Sequence, residues 1–443
     1  MVTMMALAAT GCKNATTPEA AAATTETTSR VQGKVLNIYV WNDEFQTRFK
    51  DYFEKAGLVP TGVTVNWVVT PTTGNAYQDK LDAALLAQGT AKADDKIDIF
   101  LVEADYATKY LNTDYILDVI KDVGLSSTDM SQMYKYTKDL MTDNKGALKG
   151  VSWQACPGGL IYRRSVAKQL FGSDDPATVQ AALSTWDQFD TAAATAKAKG
   201  YFMVSGYDDD FFVFYDNMTT PWVDKNGKIN IDPSIMKWID QTKLYTDNGY
   251  NNKASLWSPE SAAGAANNVF SYFGPSWFID FCLAGWTKAN ATGPDALGNG
   301  TWGDWAFCKG PQAFSWGGTW LCAAAGTDNI DLVKSVMQKL TADKATLVAI
   351  AKEKGDFTNN EAAMAEIATS DYKNMFLGGQ NHISYLLDSA KTIIRNNITA
   401  YDLGMNETLQ AKFKEYFDGK ITKTQALDNF YTAILAKYPN LTR

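Results

Sequence analysis

The 443-residue chain predicts an α/β protein built from two or so domains. Three observations carry this. Strand and helix patterns alternate from residue 35 to 104. A Pro-Gly-Gly break interrupts a strand pattern near residue 150. A second run of alternating elements then fills residues 174–300.

The first unit reads element by element. VLNIYVW (35–41) alternates apolar and polar residues rich in β-formers, so it is a strand. In DEFQTRFKDYFEKAG, Phe45, Phe49, Tyr52 and Phe53 recur at helical spacing, Asp43 with Gln46 reads as an N-cap pair, and Gly57 is the stop. VTVNWVV (63–69) is a second strand. AYQDKLDAALLAQG (76–89) is a helix with Tyr77, Leu81 and Leu85 on one face, and KIDIFLVEA (96–104) is a third strand. This order implies a parallel sheet with right-handed crossovers, which places ligands at the carboxyl ends of its strands. Those ends are Trp41-Asn42-Asp43-Glu44 and Glu103-Ala104-Asp105-Tyr106.

GVSWQACPGGLIYRR follows, a strand whose Pro-Gly-Gly break suits a chain crossing between lobes. Helices are expected near 185–199, 233–248 and 259–268, then 329–340 and 343–354, with a helical tail from LGGQNHISYLLDSAK onward. WLCAAAG reads as a strand.

Composition excludes several function classes. The net charge of −8 argues against a nucleic-acid partner. His382 is the single histidine, which leaves no His-based zinc site or catalytic relay. No cofactor or metal is expected. Thirteen tryptophans and 21 tyrosines are more than cores need and leave some for a cleft.

The N-terminus reads as a processing segment. ALAATGC ends an apolar run at Cys12 like a lipobox, with 1–12 a signal remnant and Cys12 the lipidated residue; a plain N-terminus with a chance cysteine is the alternative. Residues 13–33, rich in Ala and Thr, form a flexible tether. No later run approaches the roughly 20 apolar residues of a spanning helix. Cys156, Cys282, Cys308 and Cys322 permit two disulfides or four buried thiols.

Five short stretches share one chemistry, aromatic rings beside carboxylates or carboxamides. SWGGTW (315–320) sets Trp316 and Trp320 around Gly317, Gly318 and Thr319. FGPSWF (273–278) carries Trp277. Trp41, Asn42, Asp43 and Glu44 end the first strand. GYDDDFFVF (206–214) presents Tyr207, Asp208 and Asp209. GGQN (378–381) presents Gln380 and Asn381. Indole faces stack on the C–H faces of sugars, and carboxylates and amides bond the hydroxyl rim. Each stretch also has a plainer reading: core indoles, a buried aromatic turn, a helix cap, a solvated loop, a simple turn.

Taken in order, VLNIYVWNDEF, DIFLVEADYATKYL, LKGVSWQACPGGLIYRR, VFSYFGPSWFIDF, FSWGGTW, FLGGQN and EYFDGKITKTQALDNFY resemble the carbohydrate class of extracellular solute-binding proteins of ABC importers, the class of maltose-binding protein. The resemblance covers residues 34–443. It implies a two-lobed periplasmic-binding type II fold with crossovers near 150–158, 305–318 and 369–377. Lobe one would take 34–150 and 318–370, and lobe two 155–310 and 371–443.

It further implies a sugar in the interlobe cleft, held by Trp41, Asn42, Asp43, Glu44, Glu103, Asp105, Tyr207, Asp208, Asp209, Trp277, Trp316, Gly318, Thr319, Trp320, Gln380 and Asn381. Delivery would be to membrane permease subunits, by a monomer that is no enzyme and is lipid-anchored on the outer face of the bacterial cytoplasmic membrane. The same fold holding a polyamine or other cation, or a glycoside hydrolase using paired acids, are the rival readings.

Overall fold

The computed structural model describes residues 33–395 and 397–443. Cys12 and nearly all of the expected tether therefore lie outside the described residues. In chain order the strands are β1 (Val35–Val40), β2 (Thr64–Val69), β3 (Ile99–Glu103), β4 (Val151–Ser152), β5 (Pro157–Arg163), β6 (Val204–Gly206), β7 (Asn251–Ala254), β8 (Ser271–Pro275), β9 (Trp305–Cys308), β10 (Phe314–Ser315) and β11 (Thr319–Ala323).

The first sheet runs β2-β1-β3-β11-β4. β1 is parallel to both β2 and β3, as the strand–helix alternation predicts. β11 returns antiparallel between β3 and β4, so the sheet is mixed. Leu36, Ile38, Val40 and Ile99–Val102 are buried in it, and the helix Ala76–Ala87 covers it with Tyr77, Leu81 and Leu85. Phe45 and Phe49 seal it from the helix Glu44–Phe49, which continues as a wider i→i+5 turn over Lys50–Glu54 before Gly57 turns left-handed at φ 70°.

Asp43 occupies the cap position of that helix, but its side chain makes no cap bond. Asn42 replaces it: its Oδ1 accepts from the Glu44 N–H at 3.1 Å.

The second sheet centres on β5. β8 pairs along one edge, and β9 and then β10 pair along the other, all antiparallel. The Pro-Gly-Gly sequence lies inside β5 rather than breaking it. The break falls earlier, where Cys156 sits at φ 53°. Gly158 and Gly159 are needed for close approach: a Cβ on Gly158 would collide with the Phe314 ring, and one on Gly159 with the Phe307 ring and the Cys308 carbonyl. β6 and β7 form a separate parallel pair. A further core packs the helices Pro233–Asn248, Asp402–Phe417 and Lys423–Lys437 around Trp222, Trp238, Phe413 and Phe430.

The chain passes from the first sheet to the second through 153–156, and back through 316–318. The two passages touch: the Trp316 N–H donates to the Cys156 carbonyl at 3.2 Å. Residues 356–360 lie against the first passage, with Ala155 N–H donating to Phe357 O at 3.0 Å and Asn359 N–H to Trp153 O at 2.8 Å. All four cysteines from Cys156 onward are free and buried. Among the described residues, no helix is long and apolar enough to cross a membrane.

Gly159→Ala is expected to cost about 2 kcal/mol or more by overpacking β5 against Phe307. Gly285→Ala, where a Cβ meets nothing within 4 Å, serves as the neutral comparison. Urea unfolding of the two variants checks this.

Candidate functional site

A cavity of about 570 Å³ opens where strand ends of both sheets meet the returning passage. That is within the range of small-molecule sites, about 300–1,000 Å³. From the first sheet come Trp41, Asn42 and Glu44 after β1, and Glu103 and Asp105 at the end of β3. From the other side come Asp208 after β6, Trp257 after β7, and Trp277 and Phe281 after β8. Residues Trp316–Thr319 form its floor.

The floor is shaped by two consecutive glycines at positive φ, Gly317 at 74° and Gly318 at 106°. A Cβ on Gly317 would stand 3.3 Å from the Trp277 indole nitrogen, and one on Gly318 would stand 3.1 Å from the Trp320 ring. Trp277 donates its Nε1–H to the Trp316 carbonyl at 3.2 Å, which locks the indole against the floor. Trp316 is fixed from beneath by Phe212, stacked at 4.6 Å and 14°. Trp257, 59 % exposed, lies parallel to Trp277 at 6.5 Å and 4°. The result is a wall of planar rings whose orientations are set by their neighbours.

The carboxyl groups of the lining are shifted by burial. Burial pushes Glu44 up, and the nearby Asp356 adds to that while Arg48 opposes it. Gln154 Nε2 donates to Glu44 at 2.7 Å. Burial likewise raises Glu103, whose Oε2 accepts from the Asp105 N–H at 2.8 Å. Asp105 is also raised by burial, with Arg395 pulling it back. Asp208 is pushed to about 6 by burial, against the bond its Oδ1 accepts from the Leu256 N–H at 2.8 Å.

The structure brings together Trp41, Asn42, Glu44, Glu103, Asp105, Asp208, Trp277, Trp316, Gly318 and Thr319. It puts six other candidates off the cavity, each for a definite reason. Asp43 sits at the helix start and does not line the cavity. Tyr207 stacks on Phe417 at 5.8 Å and donates its hydroxyl to Asp418 at 2.6 Å. Asp209 turns inward to accept from the backbone N–H groups of Ser205 and Gly206. Trp320 is 3 % exposed and donates to the Thr137 carbonyl at 3.0 Å. Gln380 clamps the β9 edge, accepting from Phe307 N–H and donating to Phe307 O, both at 2.8 Å. Asn381 donates to Ile367 O at 2.8 Å.

The sequence reading missed Trp257, Phe212, Gln154 and one face of the helix Asp402–Phe417. Leu403, Asn406, Glu407 and Gln410 line the cavity at spacings of three and four, while Met405, Leu409 and Phe413 bury the other face. That polar stripe is visible in the sequence once the helix is known to border the cavity. Among the described residues, no group of three or more His, Cys, Asp and Glu side chains is placed to hold a metal ion.

The folded carboxyls of Asp208 (about 6), Asp216 (about 6) and Asp210 (about 7) titrate above their unfolded values near 3.9. Between pH 4 and 7 the folded state therefore holds more protons. The stability these groups contribute is complete below pH 4 and is lost as pH rises through 6–7. The thermal midpoint of the ligand-free protein should be higher at pH 5 than at pH 7.5, and Asp208→Asn should flatten part of that slope in calorimetric scans.

Residues 48–377 match the model of a family described as bacterial extracellular solute-binding proteins. No curated protein matches the sequence. Among solved structures, an extracellular solute-binding protein of family 1 is similar, at a TM-score of 0.72 and 17 % identity, covering 90 % of this chain and 99 % of the other. The ABC transporter associated binding protein of B. animalis subsp. lactis Bl-04, in complex with beta-1,6-galactobiose, aligns at 0.67 and 17 %, covering 93 % and 99 %. Maltose-bound MalE3 of T. maritima aligns at 0.65 and 15 %, covering 91 % and 99 %. At these identities the likeness carries the fold, which is the two-lobed α/β architecture of solute-binding proteins.

Proposed function

The chain belongs to the bacterial extracellular solute-binding protein family, and from that premise we propose that it captures a mono- or oligosaccharide in the aromatic-walled cavity and hands it to the permease subunits of an ABC importer. The observation that carries this is the pairing of oriented indole faces, Trp257, Trp277 and Trp316, with hydrogen-bonding carboxylates and amides across one cavity. Flat apolar faces meeting a polar rim is the chemistry of a pyranose ring.

The proposal includes the lobe division at 34–150 plus 318–370 and 155–310 plus 371–443. The two separate sheets and the touching passages at 153–156 and 316–318 support it. Ligand contacts from both sides would favour the closed arrangement of the lobes, so capture and closure are one equilibrium. The protein acts as a monomer, without chemistry of its own. Lipidation at Cys12 with residues 13–33 as tether, holding it on the outer face of the cytoplasmic membrane, belongs to the same proposal and rests on the sequence alone.

Titrating intrinsic tryptophan fluorescence with a panel of mono- and oligosaccharides tests the reading. At least one sugar should give a saturable change, and Trp277→Ala should weaken it by about 30-fold, the loss typical of a central aromatic anchor. Saturation unaffected by Trp277→Ala would remove the cavity from the account.

A further inference from the structure

The polar groups of the cavity are lopsided. Five lining side chains, Glu44, Glu103, Asp105, Asp208 and Glu407, are carboxyl groups, and no lysine or arginine lines it. Burial raises the first four, a neighbouring cation favours their ionised form, and that form only accepts hydrogen bonds, whereas every hydroxyl of a neutral sugar both donates and accepts. Two of the wall's donors are already engaged. The Trp277 indole N–H is already given to Trp316, and a Gln154 amide N–H to Glu44. Arg395 lies outside the lining, buried 3.2 Å from Asp216.

One donor is free. Asn406 is 3 % exposed and lines the cavity. Its Oδ1 is held by the Trp222 Nε1–H at 2.9 Å, while its Nδ2 has no protein partner. Asp105 Oδ1 is also buried without a partner. Asp105 follows β3 of the first sheet, and Glu407 stands on the helix Asp402–Phe417. The charge of Glu407 reaches Asp105 across the cavity and adds to the rise that burial imposes on it.

We infer that the saccharide carries a protonated amine: an amino sugar whose ring lies against the indoles, whose ammonium sits between Asp105 and Glu407, and which presents an oxygen to Asn406 Nδ2. This rests on the saccharide reading above. An ammonium has three donors and no acceptor, the complement of an acceptor-rich wall. Placed between two carboxylates that repel one another, it bonds to both and draws their elements together. A linear polyamine would satisfy the acids but would leave Asn406 unpaired and present no ring to the Trp257–Trp277 wall.

Calorimetric titration of the full chain at pH 7.5 with three matched pairs tests this: glucosamine against glucose, galactosamine against galactose, and chitobiose against cellobiose. In at least one pair the amine should bind at least tenfold more tightly, because charge-assisted bonds replace neutral ones. That advantage should fall below threefold in Glu407→Gln, with Asp105→Asn as the second variant if the first does not fold. Equal or tighter binding of the neutral member in every pair that binds overturns the amine and leaves the saccharide reading standing. Binding of none of the six sugars, with or without binding of spermidine, overturns both.

Discussion

The returning passage at Trp316–Thr319 is the constraint on which the rest of the site depends. It must leave β10 in one sheet, enter β11 in the other, and pass under a tryptophan on the way. Two adjacent left-handed residues do this, a conformation costing roughly 1–2 kcal/mol for each non-glycine residue. Because Gly317 and Gly318 have no side chains, the Trp277 indole settles directly onto the backbone and bonds the Trp316 carbonyl. The same passage is held at both ends, by Trp316 N–H on Cys156 O and by Ala104 N–H on Gly318 O at 3.3 Å. The floor of the cavity, the orientation of its central ring and the join between the sheets are therefore one piece of structure.

Around that floor the electrostatics are arranged by burial rather than by pairing. Glu103 and Asp208 are desolvated with backbone N–H groups as their main partners, Asp105 is desolvated with its Oδ1 unpartnered, and the guanidinium groups of Arg395 and Arg48 are already engaged with Asp216 and Asp356. Such groups resist ionisation when the cavity is closed to water and gain most from a ligand that supplies donors. Asp208, one of the acids whose burial costs the empty protein stability near neutral pH, also faces the cavity, a local conflict of the kind expected at functional sites.

Much of the fold was legible in the sequence, and the reason is local. β1 to β3 and their helices are short and close together in the sequence, so their β-forming runs and the helical spacing of Phe45–Phe49 and Tyr77–Leu81–Leu85 decide them. β11 was legible as a strand but not in its antiparallel placement, since pairing over some 200 residues leaves no local trace. Trp316 lines the cavity next to Gly317, and Trp277 lines it just after a Gly-Pro turn, both features visible in the sequence. Trp320 lies off the cavity by the period-2 rule: Thr319 lines it, so its neighbour in β11 faces the core. Asp209 was indistinguishable from Asp208 until two backbone N–H groups claimed it. The stripe Leu403–Asn406–Glu407–Gln410 was hidden because its role depends on where a distant helix docks.

Hydrogen–deuterium exchange, with and without a saturating mixture of gluco- and galacto-configured mono- and disaccharides and their amines, tests the central claim most directly. If the cavity over the 316–319 passage is the ligand site, protection should appear at 41–44, 103–105, 277–281, 315–319 and 403–410, and be absent at 378–381. Protection centred on 378–381, or a ligand response that leaves 315–319 unchanged, would contradict it.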